Sequence, residues 1–255
     1  MKIGFIGTGK IASAVINGIC TSDMEHVDIY VSPRNEEKSK HLAEIYPIVH
    51  RMNSNQLVLD QADIVFIALI PNQVRGIIED LNFKEDHIVV SLIPYTRLSE
   101  LSEILYPART ISRAIPLPTV VHHNCPIPVF NSNSTVKDIF GHIGQPLIVD
   151  TEDQLHALWT LTGLIAPYYE LLEELSDWAT SKGVEKEVSD RYVADMFYAL
   201  SNAACNSKTV NFKHHVTHAT TPKGMNEQAG IEIRQKGAHT AYRDAADNLL
   251  KRFPD

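Results

Sequence analysis

Cysteine is scarce in this chain of 255 residues, and charge of one sign never accumulates. Cys20, Cys125 and Cys205 are odd in number and widely spaced, which argues against both a disulfide framework and a C-x-x-C metal site. The formal net charge is -8, with no block of like charges, so neither a nucleic acid nor an anionic membrane is expected as a partner. No apolar run reaches the roughly 18 residues of a transmembrane helix. The first strand begins at once, leaving no room for a signal peptide, and the expected setting is the reducing cytoplasm. A chain of this length can bury a sizeable core, divided most naturally into a larger domain and a smaller one.

What is present begins at residue 2. Ile3, Phe5 and Ile6 form a short apolar run, Gly7 and Gly9 break it, and Ile11, Ala12, Ala14, Val15, Ile16 and Ile19 follow at helical spacing. The pattern reads strand, tight turn, helix. Glycine suits such a turn when a pyrophosphate must approach the backbone: Gly7 turns the chain, and Gly9 leaves no side chain before the helix N-terminus. Ala12 supplies the third small position, where helix packs on strand. Residues Gly7, Thr8, Gly9, Lys10, Ile11 and Ala12 are therefore candidates for dinucleotide binding.

The next strand, Val27–Val31, bears on which dinucleotide. An NAD site ordinarily places an acid at the end of this strand for the ribose hydroxyls. Here the chain continues Ser32-Pro33-Arg34-Asn35, and the first acid is Glu36. A hydroxyl and a guanidinium suit a 2'-phosphate, so NADP(H) is expected, with Ser32, Arg34 and Asn35 near the phosphate. Further on, a helix is expected over 36–46. The apolar run 62–70 reads as a strand buried on both faces of a parallel sheet, ending at Pro71-Asn72-Gln73 on the ligand-binding edge. That adds Ala68, Leu69, Pro71 and Gln73 to the candidates. Helices over 74–81 and 98–105 alternate with strands over 87–93 and 110–115, and 125–130 and 146–149 read as further strands. Such alternation suits a parallel sheet.

After Asp150 the composition changes. Thr151-Glu152-Asp153 resembles a helix start, with a capping hydroxyl and acids in the first turn. Apolar stripes at helical spacing then run to about residue 208, with one break at Lys182-Gly183. The expected domains are 1–150 and 151–255. Faces this apolar on so short a helical domain would be buried best against a second copy, giving a homodimer or higher homo-oligomer. Phe212–Gly224 reads as a polar loop leading into a helix, with Thr221 as cap and Pro222 in the first turn. There Thr220 and Thr221 could hold a substrate carboxylate at the helix N-terminus. His214 and His218 lie four apart, but without a nearby acid or cysteine no metal is expected; solvated loop positions or substrate-site donors suit these histidines better.

The order of parts resembles the pyrroline-5-carboxylate reductases over nearly the whole chain. Ile3–Ala12 is similar to that family's opening, 62–73 to its D-V-V-x-L-A-V-K-P-Q, Arg113-Ala114-Ile115-Pro116 to its R-x-M-P, and Thr220-Thr221 with Gly224-Met225 to its S-P-G-G-T-T-x-x-G-L. The resemblance implies an α/β fold: an N-terminal Rossmann-type doubly wound sheet followed by an all-α C-terminal dimerisation domain. It also implies NAD(P)H-dependent reduction of a small cyclic imine to proline or a related product, with substrate near Thr220 and Thr221 of the partner subunit. The candidate catalytic residues are Thr221, Thr220 and His218, with a hydroxyl or water supplying the proton. Three departures fall at the substrate end. Leu117 replaces an asparagine, Leu164 and Ile165 replace small residues of S-G-S-G-P-A-Y, and Val216-Thr217-His218-Ala219 stands where S-P-G-G would be. Two alternatives stand beside this reading: a β-hydroxyacid dehydrogenase, disfavoured because 160–174 holds neither lysine nor asparagine, and a non-enzymatic NADP-binding regulator.

Overall fold

The computed structural model describes residues 1–254. The chain divides into two compact units, one built from Met1–Trp159 together with the segment from Leu250 onward, the other from Thr160–Leu249.

The first unit is an eight-stranded sheet with helices on both faces. In chain order its elements are β1 (Lys2–Ile6), α1 (Lys10–Thr21), β2 (Asp28–Val31), α2 (Glu36–Ile45), β3 (Val49–Arg51), α3 (Asn55–Gln61) and β4 (Ile64–Ile67). Then come α4 (Val74–Ile78), β5 (Ile88–Ser91), α5 (Leu98–Ile104), β6 (Thr110–Ala114), β7 (Cys125–Phe130), α6 (Ser134–Ile143), β8 (Gly144–Val149) and α7 (Glu152–Leu161). The strand order is β3-β2-β1-β4-β5-β6-β7-β8. Sequence order therefore reverses at the β1/β4 boundary, where doubly wound sheets open a crevice beyond the strand carboxyl ends.

Side-chain alternation sends each strand's residues into two cores. Ile3, Phe5, Ile64 and Phe66 join α1 and α6 on one face, while Ile6, Val65 and Ile67 join α3, α4 and α5 on the other. All four residues of β4 are buried, which is why its sequence shows no polar alternation. Phe5 stacks on Phe66 at 4.8 Å, and Phe66 meets the edge of Phe140 at 5.9 Å.

Two features depart from the sequence expectation. The sheet is not wholly parallel: β7 runs antiparallel to β6, and β8 is parallel to β7. Between β6 and β7 the chain makes only a 3-10 turn over Pro118–His122, ending at His123 in the left-handed region with φ 57°. A parallel neighbour needs a long crossover, whereas a turn this short can deliver only an antiparallel one. Secondly, 131–143, to which the sequence analysis assigned no element, contains α6. Asn133 caps it by accepting from the Val136 N–H, and Val136, Ile139, Phe140 and Ile143 are its buried stripe.

The second unit holds α8 (Ile165–Ser181), α9 (Lys186–Cys205), α10 (Phe212–Ala219), α11 (Met225–Gln235) and α12 (Ala238–Leu250). Besides the expected break at Lys182-Gly183, where Gly183 has φ +94°, a 3-10 turn over Thr162–Leu164 precedes α8. Trp178, Tyr192, Tyr198 and Leu200 stand more than 60% exposed on this unit's own helices. No helix among the described residues is long and apolar enough to cross a membrane.

Candidate functional site

The crevice is built where β1, β2 and β4 end. Gly7 has φ +98°, and a Cβ there would meet the Ala68 carbonyl oxygen at 2.5 Å. Only glycine meets both conditions. Gly9 is different: it is the residue before α1, with φ -71°, and a Cβ on it would project into open space. Nothing in the protein's own packing demands glycine at 9, so the vacancy beside the α1 N-terminus is a property of the crevice. The Gly7 N–H donates to the Ser32 hydroxyl oxygen at 2.9 Å, tying the ends of β1 and β2. Thr8 is buried, and its hydroxyl finds no partner among the described residues.

A cleft of about 530 Å³ opens here, lined by the Gly7–Gly9 turn, Arg34 to Glu37, Ala68 to Ile70, and Gln73. Arg34 Nη1 donates to Gln73 Oε1 at 2.7 Å, so the segments following β2 and β4 meet across the rim. Asn35 caps α2 by accepting from the Lys38 N–H at 3.2 Å. The bond from Lys40, at 2.7 Å, holds the Glu36 carboxyl below the usual carboxylate range. Eight of the thirteen cofactor candidates line this cleft: Gly7, Thr8, Gly9, Arg34, Asn35, Ala68, Leu69 and Gln73. Lys10, Ile11 and Ala12 form the first turn of α1 behind it, with Ala12 in the core; Ser32 lies buried beneath the turn, and Pro71 is exposed. Sequence reasoning missed Glu36 and Glu37 as lining residues, although they directly follow Arg34 and Asn35, which it selected.

Arg113, the residue shared with the R-x-M-P pattern, does not face this cleft. Fully buried on β6, its Nη1 donates to Glu152 Oε1 at 2.6 Å and to His156 Nε2 at 2.8 Å, and its Nη2 to the Ile93 carbonyl at 3.2 Å. Because guanidinium has no acceptor, His156 Nε2 must carry the lone pair. Burial, with the adjacent Arg113 charge, pushes His156 below its ordinary range. Glu152 also accepts from the Leu98 N–H at 2.7 Å. Around this network Arg97 donates to the Pro254 carbonyl at 2.8 Å, and Phe253 stacks on His156 at 4.6 Å. The network locks β6, α5, α7 and the chain's last residues together.

In the helical unit, two expectations are corrected. Residues 212–219 are not loop but α10, capped by Asn211, which accepts from the His214 N–H. Thr221 is not a helix cap. Its carbonyl accepts from the Gly224 N–H at 2.8 Å across a turn in which Lys223 has φ 62°, and α11 begins only at Met225. Pro at the second position and a positive φ at the third make this a type II turn. The imidazoles of His214 and His218 lie 4.2 Å apart on α10. Thr220, at the end of α10, donates its hydroxyl proton to the Val216 carbonyl at 2.7 Å. Of the three proposed catalytic residues, Thr220 lines a pocket of about 390 Å³ between α10 and α11, and neither Thr221 nor His218 is among the residues lining it. Asn226 and Arg234, also in that pocket, were not singled out from the sequence.

A doubly wound sheet with a glycine turn at its switch point, joined to an all-helical unit, defines the two-unit class of dinucleotide-dependent reductases. Residues 2–95 match the family described as NADP oxidoreductase coenzyme F420-dependent, and residues 152–254 match pyrroline-5-carboxylate reductase dimerisation. The pyrroline-5-carboxylate reductase of Staphylococcus haemolyticus is 24% identical over 265 aligned residues, covering 99% of this chain and 96% of that one. A 1-pyrroline-5-carboxylate reductase structure from Streptococcus pyogenes superposes with a TM-score of 0.84 at 20% identity, covering 99% and 97% of the two chains. A Plasmodium falciparum pyrroline carboxylate reductase with NADP bound gives 0.84 at 17%, covering 99% and 96%. Over nearly its whole length the chain is similar to pyrroline-5-carboxylate reductases, and residues 152–254 match the dimerisation domain of those enzymes.

Proposed function

We propose that this protein is an NADPH-dependent reductase of a C=N bond in a small cyclic imine, pyrroline-5-carboxylate or a close relative, giving proline or its analogue. The observation that carries the reading is the cleft: a turn that must be glycine at 7, open space at Gly9 before the α1 N-terminus, and a rim on which Arg34 comes ahead of the first acids after β2, Glu36 and Glu37. Backbone N–H groups at a helix N-terminus suit phosphate, and Arg34 suits a further phosphate on the ribose. The orphaned Thr8 hydroxyl adds a polar atom to the same turn. Similarity to pyrroline-5-carboxylate reductases over nearly the whole chain supports the same reading.

When bound, NADPH supplies the hydride. The chain's residues hold and orient the reactants and exclude water. Gly7 to Ala12 and Ala68 to Gln73 would flank the cofactor, with Arg34 and Asn35 at its ribose end; Ser32 acts from beneath, by fixing the turn. A Thr220 hydroxyl whose proton is given to Val216 offers lone pairs. It therefore suits the N–H of a protonated imine, and the proton itself comes from water. Two copies associate through the exposed aromatic faces of α8 and α9, giving a homodimer.

The test is NADPH oxidation followed by absorbance, with pyrroline-5-carboxylate beside other cyclic imines and 2-oxo acids. Turnover on an imine supports the reading. NADPH binding without turnover on any of them would favour a regulator, and turnover on 2-oxo acids alone would overturn imine reduction.

A further inference from the structure

The turn that follows β5 keeps a shape its own residue disfavours. Pro94 stands second and Tyr95 third in the tight turn 93–96, and Tyr95 has φ 61°. Proline at the second position with a positive φ at the third marks a type II turn, which ordinarily takes glycine third. A bulky aromatic in that conformation is an outlier, and such strain persists only where the surroundings hold it.

The surroundings here are residues 252–254. Phe253 packs on Tyr95 with ring centroids 4.8 Å apart, and the Arg252 guanidinium lies 5.1 Å from the centre of the same Tyr95 ring. Just after the turn, Arg97 donates from Nη2 and Nε to the Pro254 carbonyl at 2.8 and 3.1 Å. At its start, Arg113 Nη2 holds the Ile93 carbonyl at 3.2 Å. Both flanks of the turn and its strained centre are therefore fixed by groups far along the chain.

The turn also lies on the ligand-binding edge. β5 pairs with β4, and the Leu92 N–H donates to the Ile67 carbonyl at 2.9 Å. Residues 92–96 thus leave the same carboxyl edge of the sheet as Ala68, Leu69 and Ile70, which line the cleft. A dinucleotide with its ribose phosphate at Arg34 and its pyrophosphate at the α1 N-terminus lays its other half across the ends of β4 and β5. That half carries the nicotinamide.

We infer that residues 252–254 are a positioning element of the reductase site: Phe253 and Arg252 hold Tyr95 in its left-handed turn, and the turn fixes the backbone beside the nicotinamide. This rests on the NADPH-dependent reductase reading and adds to it residues that touch neither cofactor nor substrate. Affinity for the dinucleotide comes chiefly from phosphate contacts on the other side of the cleft. Misplacing the nicotinamide therefore lowers the rate of hydride transfer and leaves affinity in place.

The experiment compares full-length wild type, Phe253→Ala, Tyr95→Gly and the double variant. It reads kcat on the imine that the wild type turns over, the Kd for NADPH, and the nicotinamide emission of bound NADPH. Phe253→Ala lowers kcat about 10- to 100-fold and changes the emission, while the Kd stays within about threefold. Glycine at 95 needs no holding, so removing Phe253 in the Tyr95→Gly background changes kcat by less than about threefold. A kcat in Phe253→Ala equal to wild type overturns the inference. So does a fall of the same size in both backgrounds, because the terminal residues would then act elsewhere than through the turn. A loss of NADPH affinity as large as the loss of kcat overturns it too, assigning Phe253 to the fold as a whole. If the wild type binds NADPH but reduces nothing, the reductase reading fails. The emission then decides positioning separately: a change in Phe253→Ala that is absent in the Tyr95→Gly background supports it, and no change overturns it. A wild type that binds no NADPH overturns both. Should Phe253→Ala fail to fold, Phe253→Leu, which keeps apolar cover but loses the ring, gives the same comparison.

Discussion

Changing Gly7 to alanine and changing Gly9 to alanine are one chemical edit made two residues apart, and the structure assigns them opposite consequences. At Gly7 the new Cβ would stand 2.5 Å from the Ala68 carbonyl oxygen, on a backbone with φ +98°. The conformation alone costs roughly 1–3 kcal/mol for a non-glycine residue. The contact is with backbone, so β1 and β4 must part, and a total of about 2–6 kcal/mol is expected with the overpacking cost included. For a chain of this size that lowers Tm by roughly 4–24 °C. At Gly9 the Cβ enters open space at φ -71°. The weaker N-cap and the stiffer unfolded chain offset each other to within about 1 kcal/mol, so Tm barely moves. The new methyl instead stands where phosphate oxygens would meet the α1 N-terminus. Losing two charge-assisted hydrogen bonds at about 1.5–3 kcal/mol each weakens NADPH binding by more than ~100-fold. Thermal melts and NADPH fluorescence titrations on both variants separate the two effects. A Gly9→Ala protein that keeps its NADPH affinity within threefold would refute the assignment of the cleft, whatever its stability.

Arg34→Ala should raise KM for NADPH roughly tenfold while changing that for NADH little, as expected for loss of one phosphate contact; equal effects on the two cofactors would remove Arg34 from the ribose end. Glu152→Gln leaves the buried Arg113 charge without its partner at 2.6 Å and should cost about 3–5 kcal/mol, read from the midpoint of urea unfolding. A loss under ~1 kcal/mol would mean that the network is not electrostatically closed. His87 and His156 are both held below the ordinary histidine range, chiefly by burial. The folded state therefore binds fewer protons than the unfolded one, so stability is complete above pH ~6.5 and falls as pH drops below it. His156→Gln, which keeps an acceptor for Arg113, should flatten part of the fall in Tm between about pH 6.5 and 5, and an unaltered slope would acquit His156.

The nucleotide half was largely legible because its signals are local. A glycine turn between an apolar strand and an apolar-periodic helix constrains both neighbours, and β4, buried on both faces, announces itself by lacking polar residues. Pairing direction is not local: nothing in Thr110–Ala114 or Cys125–Phe130 taken singly says that they run opposite ways, and only the length of what joins them does. The capped start and apolar stripe of α6 were readable by the same rules as α1 but follow a proline-rich stretch, Pro116 to Pro128. In the helical unit, composition misled. Three histidines and three threonines make 212–221 look like loop, yet Asn211 caps a helix there, and Thr221 and Pro222, ordered as a cap and first turn would be, form a turn instead. Arg234 stood nine residues beyond the last motif, which ends at Met225. It joins Thr220 only because the turn at Thr221–Gly224 folds α11 against α10.

The docking of Phe253 and Pro254 on His156 and Arg97 makes the helical unit, in covalent terms, an insertion and not an appendage. The chain leaves the nucleotide-binding unit near Thr160 and returns to it at Leu250. Cutting the gene after the last strand of the sheet would not release an intact half, because Tyr95, Arg97, His156 and Trp159 would lose the aromatic and carbonyl that cover them. A self-sufficient nucleotide-binding fragment has to carry α7 and the terminal hexapeptide region grafted behind it, and a circular permutation opened within the helical unit should preserve what a simple truncation destroys.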